Sequence, residues 1–235
     1  MRSSALVFSS LVVFATTACA NVTGSGIKRT EARKVAAFTE VEVSGGVRLE
    51  VKQGATSLTI EGDDNIVPLY STEVVGDRLH VRRTTTESVR TKQPLVVRVT
   101  TPVLERLVAS GGVEATVDGA TSKSFATELS GGVVLKVNAL DVEALDLEAS
   151  GGVDITMAGR AKVARLNTSG GVGFKGARLE LATVDLDASG GCTLEVMARE
   201  SIAGEVSGGA DVKVFGSPAK SRVRTSGGAD VEYVN

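Results

Sequence analysis

The tripeptide Ser-Gly-Gly occurs eight times in this chain, with its serines at Ser44, Ser110, Ser130, Ser150, Ser169, Ser189, Ser207 and Ser226. From Ser110 onward the gaps are 20, 20, 19, 20, 18 and 19 residues. A fixed period of this length is the signature of a repeat architecture, in which one short unit is laid on the previous one. Around each tripeptide the residues alternate. After the glycines the chain reads Val113-Glu114-Ala115-Thr116-Val117, Val133-Val134-Leu135-Lys136-Val137 and Val153-Asp154-Ile155-Thr156-Met157. Before them, Leu145, Leu147 and Ala149 alternate with Asp146 and Glu148. Period two is the mark of a strand with one buried face. The expected unit is therefore strand, corner, strand and return, with equivalent strands parallel and about 4.8 Å apart. The fold class this predicts is all-β: a right-handed parallel β-helix, or β-solenoid.

The corners are expected to be made by paired glycines: Gly45 and Gly46, Gly111 and Gly112, Gly131 and Gly132, Gly151 and Gly152, Gly170 and Gly171, Gly190 and Gly191, Gly208 and Gly209, and Gly227 and Gly228. A sharp corner needs positive φ, which glycine reaches without the steric penalty of a Cβ. The serines should form a column along one edge, their hydroxyls bonding to the turn or to one another. Eight equivalent serines without a neighbouring base do not suggest a nucleophile.

Residues 1–18 have the form of an export signal. Arg2 precedes an apolar stretch, and Thr16-Thr17-Ala18-Cys19 offers small residues at a cleavage point. This resembles a lipoprotein signal, with Cys19 as the lipidated residue; plain secretion with cleavage before Asn21 is the alternative reading. Residues 19–35 then read as a tether, 36–109 as an irregular capping section, and 110–235 as the regular repeats. Within the capping section, Val47 to Lys52, Leu58 to Glu61, Arg78 to Arg82 and Leu95 to Thr100 read as strands. Asn65 to Val74 is expected to be irregular or one helical turn, and Thr84 to Lys92 a polar loop. Asp230 and Glu232 could blunt the last repeat by charge, or that end could pair with another molecule.

The formal charge of −2 offers no basic face for phosphates, so nucleic acid is not an expected partner. The second cysteine, Cys192, occupies a position held elsewhere by valine, which makes it a buried packing residue. His80, the single histidine, alternates with Leu79 and Val81 and is expected on a solvated face. One histidine makes neither a zinc site nor a triad. Glu114, Asp154, Asp211 and Asp230 share one repeat position, but Gly173 and Thr193 interrupt the column. Neither a metal nor a cofactor is expected. Sugar grooves commonly present aromatic platforms, and the chain has two tyrosines and no tryptophan, so an enzyme is not the expected reading.

The segment Phe38-Thr39-Glu40-Val41-Glu42-Val43-Ser44-Gly45-Gly46-Val47, the Asp63-Asp64-Asn65 stretch followed by Leu69 and Glu73, and the later repeats together resemble a bacterial family. That family is described as putative auto-transporter adhesin, head-GIN domain, and the resemblance covers roughly residues 36–235. It implies an exported domain, often lipid-anchored, with a parallel β-helical structure. The expected role is a non-catalytic envelope module, periplasmic or at the surface, binding a polysaccharide or a protein and touching the membrane through its anchor alone. A carbohydrate-active enzyme and a purely structural subunit with end-to-end self-association are the other classes.

Overall fold

The computed structural model describes residues 21–234. The signal segment and Cys19 lie outside the described residues. The chain opens with β1 (Asn21–Thr23), β2 (Lys28–Ala32), β3 (Glu40–Ser44), β4 (Arg48–Gln53) and β5 (Ser57–Asp63). A 3-10 turn at Val67–Leu69 leads into β6 (Tyr70–Val75), β7 (Arg78–Arg83), β8 (Ser88–Arg90), β9 (Val96–Thr101) and β10 (Arg106–Ser110). The repeat region forms β11, a long extended run over Val113–Gly190, then β12 (Thr193–Val206), β13 (Asp211–Phe215), β14 (Lys220–Thr225) and β15 (Asp230–Val234). β1 and β8 make a two-stranded sheet; all other strands belong to one sheet.

That large sheet is mixed, and this overturns the expected right-handed parallel β-helix. β2 runs antiparallel to β5, β5 antiparallel to β9, and β6 antiparallel to β7. The fold is all-β with parallel and antiparallel pairing together. Each reversal involves a strand from the interval between Ser44 and Ser110, where Ser-Gly-Gly is missing: β5 in two of them, β6 and β7 in the third. One has a simple local cause. Only Gly76 and Asp77 separate β6 from β7, and a two-residue link joins antiparallel neighbours. Gly76 takes φ +62°, as such a turn demands.

Where the tripeptide does recur, it sets register. Arg106 to Ser110 pair in parallel with Glu40 to Ser44 on one side and with Ala126 to Ser130 on the other. Asp185 to Ala188 pair with Ala203 to Val206, and Thr193 to Met197 with Asp211 to Phe215. Alternation places the core between the strands: Val133, Leu135, Val137, Leu145, Leu147 and Ala149 are all buried. Each apolar side chain so buried stabilises by about 1.5–3 kcal/mol.

The region 19–35, expected as a tether, is paired to the body from Asn21 onward. β1 joins β8, and β2 joins β5. The connection between β1 and β2 is held by Asp63, which is fully buried and accepts hydrogen bonds from the backbone amides of Gly26 at 2.7 Å, Lys92 at 2.8 Å and Gln93 at 3.0 Å. Gly24 is pressed against this carboxylate; a Cβ there would stand 2.2 Å from Asp63 Oδ2. Arg33 adds a second stitch, donating to the carbonyls of Tyr70 and Val67. The stretch expected as irregular, Asn65 to Val74, also contains most of β6, and the expected polar loop contains β8.

Candidate binding trough

The corner glycines stack. A Cβ built on Gly151 would lie 3.2 Å from the Gly131 amide nitrogen, and one on Gly170 would lie 3.1 Å from that of Gly151. The first glycine of every tripeptide has positive φ, from +66° at Gly111 to +90° at Gly151 and Gly190. Of the second glycines, only Gly46 and Gly112 share that conformation. Backbone bonds join layer to layer: the Gly45 amide donates to the Ser110 carbonyl, the Gly111 amide to Ser130, and the Gly209 amide to Gly190.

The serines form the expected column, but their hydroxyls do not bond as expected. None of the eight makes a side-chain hydrogen bond to the protein among the described residues. The reason is geometric. At several corners the backbone groups that a serine could reach are taken by the neighbouring layer: the Gly46 amide donates to the Gly111 carbonyl, and the Gly228 amide to that of Gly208.

Five of these hydroxyl residues, Ser130, Ser150, Ser169, Ser189 and Ser207, line one trough of about 730 Å³. Two positions before each serine, and so on the same face of the strand, stand Glu128, Glu148, Asn167, Asp187 and Glu205. The intervening residues, such as Leu129, Ala149 and Ala188, are buried and form the floor. The trough thus carries two parallel columns, one of hydroxyls and one of carboxylates and an amide, repeating about every 4.8 Å.

The two ends of the acidic column are compensated and its middle is not. Glu128 pairs with Arg106, and Glu205 lies 3.5 Å from Arg224. Glu148 and Asp187 have no ion pair among the described residues. What the arrangement can do chemically is hold a chain of hydroxyl, amide or amine groups by repeated hydrogen bonds. An activated nucleophile is hydrogen-bonded to its base, and among the described residues none of these hydroxyls is bonded to a neighbouring carboxylate. Spacing alone shows the serine column; that the carboxylates share its face follows from their position two residues earlier in an extended strand.

The other candidate residues lie apart. Cys192 is buried, its thiol donating to the Ser189 carbonyl at 3.2 Å. His80 is half-buried rather than solvated. β7 lies beside β3, which sets His80 opposite Glu42 with Nδ1 3.4 Å from the carboxylate. Asp211 pairs in register with Asp230, while Asp154 leans over Gly173, where a Cβ would stand 2.8 Å from its Oδ1. Among the described residues no group of three or more metal-ligating side chains converges.

Fold and trough together define a class: an all-β protein of mixed sheet that presents a long, periodic polar face. The chain belongs to the family described as putative auto-transporter adhesin, head GIN domain, whose sequence profile matches residues 37–218. Solved structures of similar fold include a putative adhesin from Bacteroides fragilis, 23% identical with a TM-score of 0.86, covering 91% of this chain and 100% of that one. A putative lipid binding protein from Parabacteroides distasonis is 16% identical with a TM-score of 0.71, covering 92% and 100%. A putative adhesin from Parabacteroides merdae is 18% identical with a TM-score of 0.69, covering 92% and 99%. Among curated proteins, none matches.

Proposed function

We propose that this protein is a non-catalytic module of the cell envelope that binds an extended polar partner, a polysaccharide chain or a peptide strand, along the trough. The observation that carries this reading is the column of free corner hydroxyls beside uncompensated Glu148 and Asp187. Unpaired polar groups repeated at the spacing of the strands suit a ligand that is itself extended and periodic. The family description supports a binding role. One structural neighbour is named a lipid binding protein, but the trough here is lined by hydroxyls and carboxylates over a sealed floor. An acyl chain would strand those groups without hydrogen bonds. Export, lipidation at Cys19, and a periplasmic or surface location with no cofactor complete the proposal.

The test is retention on immobilised envelope and host polysaccharides, with released reducing ends measured in the same samples. Wild-type protein is expected to be retained without product. Glu148→Lys combined with Asp187→Lys, and separately Ser150→Val with Ser169→Val, should each weaken retention at least tenfold. Equal retention by all three proteins would remove the trough from the account. Product release would replace binding with catalysis.

A further inference from the structure

The outermost strands at the end of the repeat region, β14 and β15, carry opposite charge. β14 presents Lys220, Arg222 and Arg224 outward, and β15 presents Asp230 and Glu232. Each strand is paired along one edge, β14 to β12 and β15 to β13. Along the other edge neither has a partner among the described residues, so a row of backbone donors and acceptors stands open to strand addition.

We infer that this end is a self-complementary interface, and that its partner is a second copy of this chain. The two strands flank the Ser226-Gly227-Gly228 corner, β14 running toward it and β15 away from it. A twofold axis through that corner lays β14 of one copy antiparallel on β15 of the other. Centred on Gly227, residues equally distant from it face each other. Arg224 then meets Asp230 of the second copy, and Arg222 meets Glu232. Symmetry repeats both pairs, as an isologous contact requires. The inward-facing residues match as well. Val223 lies in register with Gly204 and Val231 with buried Val212, and both pack against the core; in the pair they face each other. Both are only partly buried in the single chain.

Two further observations favour this arrangement. Two of the outward positions on these strands already face an opposite charge in the layer beneath, Arg224 against Glu205 at 3.5 Å and Glu232 against Lys213 at 3.6 Å, whereas Asp230 lies in register with Asp211. The proposed contact continues both pairings across the axis, because Arg224 is followed by an acidic residue and Glu232 by a basic one. The alternative twofold contact, β14 on β14, would set Arg222 and Arg224 against their own copies, and like charges directly opposite are destabilising. Two hydroxyls of the last layer are already engaged: Ser221 and Tyr233 hydrogen-bond to each other.

The test uses sedimentation velocity on the full chain in a non-ionic detergent across a range of concentrations. Wild type is expected to show a reversible monomer–dimer equilibrium. Arg222→Glu with Arg224→Glu makes both strands acidic; Asp230→Lys with Glu232→Lys makes both basic. Each double variant alone should dimerise at least tenfold more weakly. Mixed in equal amounts, they should form a heterodimer, since every acidic strand then meets a basic one. That recovery also shows that both variants are folded. A wild type that stays monomeric, dimers indifferent to both substitutions, a mixture that fails to associate, or species that grow beyond the dimer would each overturn the inference.

Discussion

At Gly204 the backbone has φ +139°, and an added Cβ would stand 1.9 Å from the Leu186 carbonyl oxygen of the neighbouring layer. Nothing there can give way except main chain. Gly204→Ala is therefore expected to destabilise by roughly 3 kcal/mol or more, read as a fall in denaturation midpoint. Gly132→Ala is the contrast, since that glycine has no positive φ and nothing within 4 Å of its missing Cβ; it should be near neutral. Asp63 makes the other residue-scale prediction. Burial pushes its carboxyl up, but the amides of Gln93, Lys92 and Gly26 and the Lys92 charge outweigh that, so its pKa is held below the ordinary value. With the folded value depressed, its contribution is complete above about pH 3.9, the unfolded value, and fades as pH falls through the folded one. Thermal melts of wild type should lose stability on acidification below pH 4. Asp63→Asn should melt lower at neutral pH and show a flatter loss there.

Among the strand elements, packing depends on matched sizes at inward positions. Phe174 is among the largest fully buried side chains, and Gly176, the next inward residue, yields space to it; a Cβ at Gly176 would stand 2.4 Å from the Phe174 ring. Phe174→Ala leaves a cavity that backbone hydrogen bonds on both sides prevent from closing. It is expected to cost about 3–5 kcal/mol in chemical denaturation. The outward faces contribute less. Ion pairs between layers, such as Arg199 with Glu180 at 2.8 Å, are exposed, and pairs of this kind typically contribute 0–1 kcal/mol each. Their effect is on register and partner choice, since a strand slipped by one residue would turn every charge inward.

For the molecule as a whole, the N-terminal segment belongs to the folded body. A tether could be removed without consequence. Deleting residues 21–32 would instead strip β1 from β8 and β2 from β5 and leave buried Asp63 without the Gly26 amide. The expected result is a lower melting temperature by circular dichroism; an unchanged melt would restore the tether. Along the rest of the chain, legibility followed the repeat. The period-two alternation showed which face is buried and the Ser-Gly-Gly spacing that Ser110 lies beside Ser130, because identical neighbours favour the register that buries the alternating apolar residues; that the chain stays extended through the expected corners and returns from Val113 to Gly190 was not readable there. From Ser44 to Ser110 no repeat exists, and the choice of β9 rather than β4 as the partner of β5 is made by long-range packing that local pattern does not encode. The same holds for the trough. Its residues are visible in the sequence, but the freedom of the serine hydroxyls was decided only in the tertiary structure, where neighbouring layers claim the backbone groups those hydroxyls would otherwise bond.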